Sequence, residues 1–257
     1  MRELILVPDV HGRTFWKAAA PYVEAGTPCI FFGDYTDHYP YEGIDSLDTL
    51  QNLRELLVFA RHNGNHVKLL LGNHDLSYFG EPEGLWNVNA DRYSFDCGPL
   101  YSEYYNENSR LFSLCAFHEV GGKPFLFSHA GVHPTWLSWC GVFDDIKDTR
   151  NGKVVAEKIE ELFQKSLCSR ERTEFIDALS MVGGLRGGDD INGSMVWADV
   201  HEFEDYWGEF TQVFGHTQQA NRKPYWTGNN VCIDCRRCFY LDHEGALRYL
   251  DNDELAK

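Results

Sequence analysis

No stretch of this chain approaches the ~18 apolar residues of a membrane span, so no membrane association is expected. The amino terminus, Met1-Arg-Glu-Leu-Ile-Leu-Val-Pro-Asp9, lacks the form of a secretion signal: its apolar run is short and leads directly into a polar motif. Basic charge is scarce. Lys and Arg number 23 against 39 Asp and Glu, a formal charge of −16. Such a surface repels phosphate backbones at long range, which argues against an extended duplex-binding groove but not against a small phosphate ester reaching a metal. Bound cations would offset part of the acidic count. There is no internal repeat, low-complexity tract or evident linker, and residues 1–257 are read as one domain. Cysteine is not scarce: there are eight, with Cys29, Cys115 and Cys232 inside apolar strand-like runs. Without a secretion signal they are expected as free thiols in the reducing cytoplasm.

Short apolar segments at 2–8, 28–32, 66–71, 124–128, 210–214, 230–234 and 246–250, bounded by Gly, Asp, Asn or Pro, read as strands. The clearest helix runs over 44–62, where Ile44, Leu47, Leu50, Leu53, Leu57 and Ala60 make one apolar face. Weaker helices are expected at 14–25, 153–168 and 171–182. The alternation of strand and helix over the first 75 residues implies parallel strands with right-handed crossovers. The last third reads as meander-like strands, with turns such as Asp242-His243-Glu244-Gly245. The fold class is α/β: two packed mixed sheets flanked by helices. Segments 79–120 and 141–205 read as insertions on a pocket rim.

Five polar motifs each follow an apolar run: Asp9-Val-His11, Gly33-Asp34-Tyr35-Thr36-Asp37, Gly72-Asn73-His74-Asp75, Ser128-His129-Ala130-Gly131 and Gly215-His216-Thr217. Functional groups in α/β sheets gather at strand carboxyl ends. Asp9 and His11 are two apart and point the same way in an extended chain. Asp34 has two oxygens with which to bridge two cations; Asn73 adds a neutral oxygen, and His129 and His216 add imidazoles. Mixed nitrogen and oxygen ligation suits manganese, iron or zinc better than calcium.

In this order the motifs resemble those of the calcineurin-like metallophosphoesterases, with the serine/threonine phosphatase type and its bacterial and phage relatives nearest in pattern. Met195-Val-Trp197-Ala-Asp199 is similar to their Leu-Trp-Ser-Asp, and Cys232-Ile-Asp234 to a late Ile-Asp-Thr-Gly. The resemblance implies a four-layer α/β/β/α sandwich and two divalent metal ions, manganese first, with iron, zinc or nickel as alternatives. It places Asp9, His11 and Asp34 on one ion, and Asp34, Asn73, His129 and His216 on the other. It makes His74 the general acid and Asp37 its carboxylate partner, with a metal-bridging hydroxide attacking phosphorus. The implied activity is hydrolysis of phosphomonoesters on a small molecule, a nucleotide or a protein. A phosphodiesterase or dinucleoside polyphosphate hydrolase on the same core is the alternative, and a non-catalytic scaffold, which would have eroded ligands, is a third.

One position departs from the pattern. The family continues Gly-Asp-x-x-Asp-Arg-Gly, and that Arg grips the substrate phosphate. This chain has His38 followed by Tyr39. An imidazolium lacks the bidentate fork of a guanidinium. His38, Arg186, Arg222 and Arg13 are therefore the candidate phosphate-binding residues. His133 reads as a packing or capping residue, the Cys232, Cys235 and Cys238 series as structural, and the cluster of Trp86, Tyr93, Phe95, Tyr101, Tyr104 and Tyr105 as packing within an irregular segment.

Overall fold

The computed structural model describes residues 2–80, 92–146, 148–203 and 207–252. Trp86, and the parts of the two expected rim segments at 81–91, 147 and 204–205, lie outside the described residues. Two mixed sheets pack face to face. The first runs β11-β10-β1-β2-β3-β4, from β1 (Arg2–Val7), β2 (Cys29–Phe31), β3 (Val67–Leu70), β4 (Phe112–Ser113), β10 (Phe239–Asp242) and β11 (Leu247–Tyr249). Strands β1 to β4 are parallel, and β10 returns antiparallel against β1. The second runs β5-β6-β7-β9-β8, from β5 (Cys115–Val120), β6 (Lys123–Ser128), β7 (Thr211–Phe214), β8 (Tyr225–Thr227) and β9 (Asn230–Cys232).

Strand alternation builds the layers. Leu4, Leu6, Ile30, Phe32 and Leu70 face Phe125, Phe127, Val213 and Val231 between the sheets. The opposite face of the first sheet, with Ile5, Val7, Phe31 and Leu69, packs under the helices. The described α-helices are α1 (Ala20–Glu24), α2 (Ser46–His62), α3 (Asn73–Leu76), α4 (Gly98–Glu107), α5 (Pro134–Trp139), α6 (Gly152–Leu167) and α7 (Glu174–Leu179). Helix α2 lies against β3, and α6 against β5 and β6 on the far side. No described helix is long and apolar enough to cross a membrane.

All seven expected strand segments contain strands. The helix expected at 14–25 is a 3₁₀ turn, Phe15–Ala18, followed by α1, which starts around Pro21. Residues 112–120, expected within a rim, form β4 and β5 in the two sheets. Their burial does not alternate: β5 runs from two buried residues through exposed His118 and Glu119. Helix α2 is capped by Asp45, whose carboxylate accepts the N–H groups of Leu47 and Asp48 at 2.8 Å. Its buried face is rotated from the expected one. Leu47 is 69% exposed, whereas Thr49 and Asn52 are buried. Both polar residues have partners inside: Asn52 accepts from Trp16 Nε1 at 3.0 Å and donates to the Arg13 carbonyl at 3.1 Å, and the Thr49 hydroxyl donates to the Asp45 carbonyl at 2.8 Å.

Candidate metal centre

The five motifs sit just past the carboxyl ends of β1, β2, β3, β6 and β7. Among the described residues six non-glycine positions have positive φ, and four are His11, Asp34, Asp37 and His216. Each such conformation costs roughly 1–3 kcal/mol and persists only where its surroundings enforce it. Here cross-loop bonds do so: His11 N–H donates to the Asp34 carbonyl at 2.6 Å, and Gly215 N–H to the His129 carbonyl at 2.7 Å. Asp9 and His11 therefore converge through a tight loop (φ 45° at His11) and not through extended chain.

One ligand atom each from Asp9, His11 and Asp34 lies within 4.8 Å of the others, and the same holds for Asp34, His129 and His216. Asp34 belongs to both groups. Its Oδ1 accepts the N–H of His74 at 3.1 Å. Its Oδ2 faces His11 Nε2 at 3.4 Å and His129 Nε2 at 3.5 Å. Oδ1 thus also accepts a backbone amide, and Oδ2 is the oxygen that faces both imidazoles. His11 donates from Nδ1 to the Thr36 carbonyl at 3.0 Å, and His129 from Nδ1 to the Phe32 carbonyl at 2.7 Å. These bonds fix the tautomer and leave each Nε2 as a lone pair. The His129 lone pair meets Asn73 Oδ1 at 3.1 Å, so acceptors converge with no proton between them.

Asp9 Oδ1 and His216 Nε2 are buried with no hydrogen-bond partner, while Asp9 Oδ2 accepts the N–H of His216 at 2.8 Å. Burial, and then the charges of Asp234 and Asp34, push the Asp9 carboxyl well above the usual carboxylate range. Burial would also raise Asp34, but the surrounding imidazoles hold it low. Burial pushes His11 and His216 far down and His129 down, which keeps the imidazoles neutral and able to coordinate. Orphaned acceptors, neutral imidazoles and crowded carboxylates are what divalent cations satisfy, so the donor set fits divalent metal.

His74 lies beside this cluster, its ring 5.3 Å from that of His11. Its Nδ1 is 2.9 Å from Asp37 Oδ2, and Asp37 Oδ1 accepts from Tyr78 Oη at 2.5 Å. Burial alone would lower the His74 pKa, but Asp34 and the Asp37 bond outweigh it and raise it. Asp75 clamps the second and third motifs together. It accepts the N–H groups of Asp34 (2.6 Å), Tyr35 (2.9 Å) and Gly72 (2.8 Å) and the Tyr105 hydroxyl. Burial and the nearby Asp34 push its carboxyl up to about 7.

The sequence profile of the calcineurin-like phosphoesterases matches residues 4–220. The chain belongs to this family. As a phosphoesterase it is a hydrolase of a family that uses divalent metals. No curated protein sequence matches it. Among solved structures it is similar to a cold-active protein-tyrosine phosphatase of a psychrophilic Shewanella species, at 14% identity and TM-score 0.56, covering 98% of this chain and 81% of that one. A cold-active protein tyrosine phosphatase determined at 1.1 Å gives 15% identity and TM-score 0.58, covering 100% and 81%. These likenesses show the fold.

In this phosphoesterase the four candidate phosphate-binding residues are differently placed. Arg13 is bound by Glu42, Nε to Oε2 at 2.7 Å and Nη2 to Oε1 at 3.1 Å. Arg186 pairs with Asp199 at 2.9 Å and donates to Thr217 Oγ1 at 2.7 Å. Arg222 is exposed, and His38 Nδ1 lies 3.2 Å from Thr49 Oγ1. A fifth basic residue, Arg92, reaches the site unforeseen: its Nη2 is 3.0 Å from His74 Nε2. No spacing or motif signals Arg92 or Tyr78 as site neighbours; Asp234 closes the late Cys-Ile-Asp segment of the resemblance. Asp234 is buried with Oδ1 unpartnered, and burial pushes it up to about 7. His133 caps α5 by accepting the N–H of Thr135 at 3.1 Å. Cys232, Cys235 and Cys238 fall in three separate hydrophobic clusters. Cys232 donates to the Gly215 and Thr217 carbonyls at 3.1 and 3.2 Å, a structural role.

Proposed function

We propose that the protein is a dinuclear metal-dependent phosphatase acting on phosphomonoesters. Asp9, His11 and Asp34 hold one ion, and Asp34, Asn73, His129 and His216 the other. The observation that carries this is Asp34 Oδ2, one oxygen facing an imidazole of each donor group at 3.4 and 3.5 Å. Manganese suits the mixed set, with iron, zinc or nickel able to take the same place. When bound, two divalent ions supply positive charge opposite the phosphoryl oxygens and an acidified water as nucleophile.

The chain's own residues do the rest. His74 presents Nε2 to the leaving oxygen and donates the proton there, while Asp37 holds Nδ1 and favours the cationic ring. Tyr78 fixes the far oxygen of Asp37. Asp75 keeps the Asp34 and Asn73 loops in register. Substrate is a phosphorylated small molecule, nucleotide or protein; the tyrosine phosphatases of similar fold accord with an aryl phosphate. The eight free cysteines accord with the reducing cytoplasm.

The test uses p-nitrophenyl phosphate with manganese. Asp34→Asn should lose bound metal together with turnover. His74→Asn should keep metal and lose about 10²–10⁴-fold in kcat. Wild-type turnover in both variants would sink the mechanism. Faster hydrolysis of bis(p-nitrophenyl) phosphate would move the assignment to the diesterase.

A further inference from the structure

We propose that Arg92 is the residue that grips the substrate phosphoryl group, replacing from a different part of the chain the arginine absent at position 38. The proposal rests on the phosphatase function above and adds the residue that function lacks.

The first observation is placement. Arg92 Nη1 donates to the Asp37 carbonyl at 2.9 Å and lies 3.5 Å from that of His38. Its guanidinium stacks 3.9 Å over the Tyr39 ring. It thus lies against the backbone of Asp37 and His38 and the ring of Tyr39, where a second-motif arginine would emerge. Its Nη2, 3.0 Å from His74 Nε2, occupies the space of the leaving oxygen that His74 would protonate.

The second observation is availability. Three other arginines around the centre are held by carboxylates: Arg13 and Arg236 by Glu42, and Arg186 by Asp199. Arg222 is exposed. Among the described residues Arg92 meets no carboxylate; its contacts are two carbonyls, an imidazole nitrogen and a ring face. In a chain of net charge −16, a half-buried guanidinium beside the metal ligands and without an anion is a receptor for one.

The resting contact also has a consequence for His74. Its Nδ1–H is given to Asp37, so Nε2 accepts the Arg92 proton. A phosphoryl oxygen is a stronger acceptor than an imidazole nitrogen. Arriving substrate draws the guanidinium onto itself and frees the Nε2 lone pair, which then takes up a proton from solvent and passes it to the leaving oxygen. Grip on the phosphoryl group and the freeing of Nε2 are one movement.

The experiment compares wild type, Arg92→Ala and Arg92→Lys, each loaded with manganese. Inorganic phosphate binding is measured by calorimetry, kcat and KM with p-nitrophenyl phosphate, and the manganese-dependent rise in thermal midpoint without phosphate. Loss of a charge-assisted bidentate contact should weaken phosphate binding and raise KM by about 10- to 100-fold in the alanine variant. Lysine should recover part of this, and the manganese-dependent midpoint should match wild type in both. An alanine variant that binds phosphate like wild type overturns the assignment, as does one whose phosphate loss tracks a lost manganese response. A wild-type protein that takes up manganese yet neither binds phosphate nor turns over the ester overturns the phosphatase function itself, and this proposal with it.

Discussion

Asp34 and His74 show how far single side chains carry chemistry. Asp34 gives one oxygen to a backbone amide and turns the other to the shared space between two imidazoles. His74 is held by Asp37, and the two anions nearby raise its pKa against the effect of burial. A group that acts as an acid must be protonated, so kcat falls as pH rises through that pKa. Asp37→Asn removes one anion and lowers the pKa. The alkaline limb of the kcat profile should therefore move to lower pH, with the acid limb little changed; an unmoved alkaline limb would show that Asp37 does not tune His74. At this scale the ligand types were legible because each follows an apolar run in a short motif. Arg92, Tyr78 and Asp75 were not legible as neighbours. Arg92 and Tyr78 come to Asp37 from residues 55 and 41 positions away. The role of Asp75 is to receive amides from a loop 40 residues earlier in the chain.

Among the elements, strand identity was readable wherever an apolar run ended in a short polar motif, and this placed all five motifs. It failed at β4 and β5, where burial does not alternate, and on α2, where Thr49 and Asn52 are buried because they find polar partners. The loops that follow the strands depend on glycines for space. A Cβ on Gly215 would come within 1.9 Å of Asp9 Oδ1, and one on Gly72 within 2.1 Å of Asp34 Oδ1. Both obstructing atoms are side-chain oxygens, which move more readily than backbone. Gly215→Ala should then spare the fold and displace the ligand. Manganese affinity should fall by at least about tenfold, equivalent to 1.4 kcal/mol, while the midpoint of the metal-free protein stays near wild type. A large drop in that midpoint would instead make Gly215 a folding requirement.

For the whole molecule, the acidic excess and the buried, partnerless Asp9 Oδ1 mean that the native state gains from cations more than the unfolded chain does. At manganese one hundred times its dissociation constant the gain is about 2.7 kcal/mol. For a chain of this size that is roughly 5–11 °C in midpoint. Thermal unfolding with and without manganese should show the rise, a chelator should reverse it, and Asp34→Asn should abolish it; an equal rise in Asp34→Asn would place the stabilising cation elsewhere. The two-sheet architecture was legible in outline from the order of strands and helices. The way the sheets share the centre was not, since the first supplies Asp9, His11, Asp34 and Asn73 and the second His129 and His216. The amide of His216 closes on Asp9 across 207 residues. During synthesis Asp9, His11 and Asp34 emerge early and wait, and the last imidazole arrives only when more than four-fifths of the chain has left the ribosome. On the proposed ligand set, a chain that stops short of His216 lacks one donor, so a site built from both ends of the sequence cannot assemble until translation has passed it.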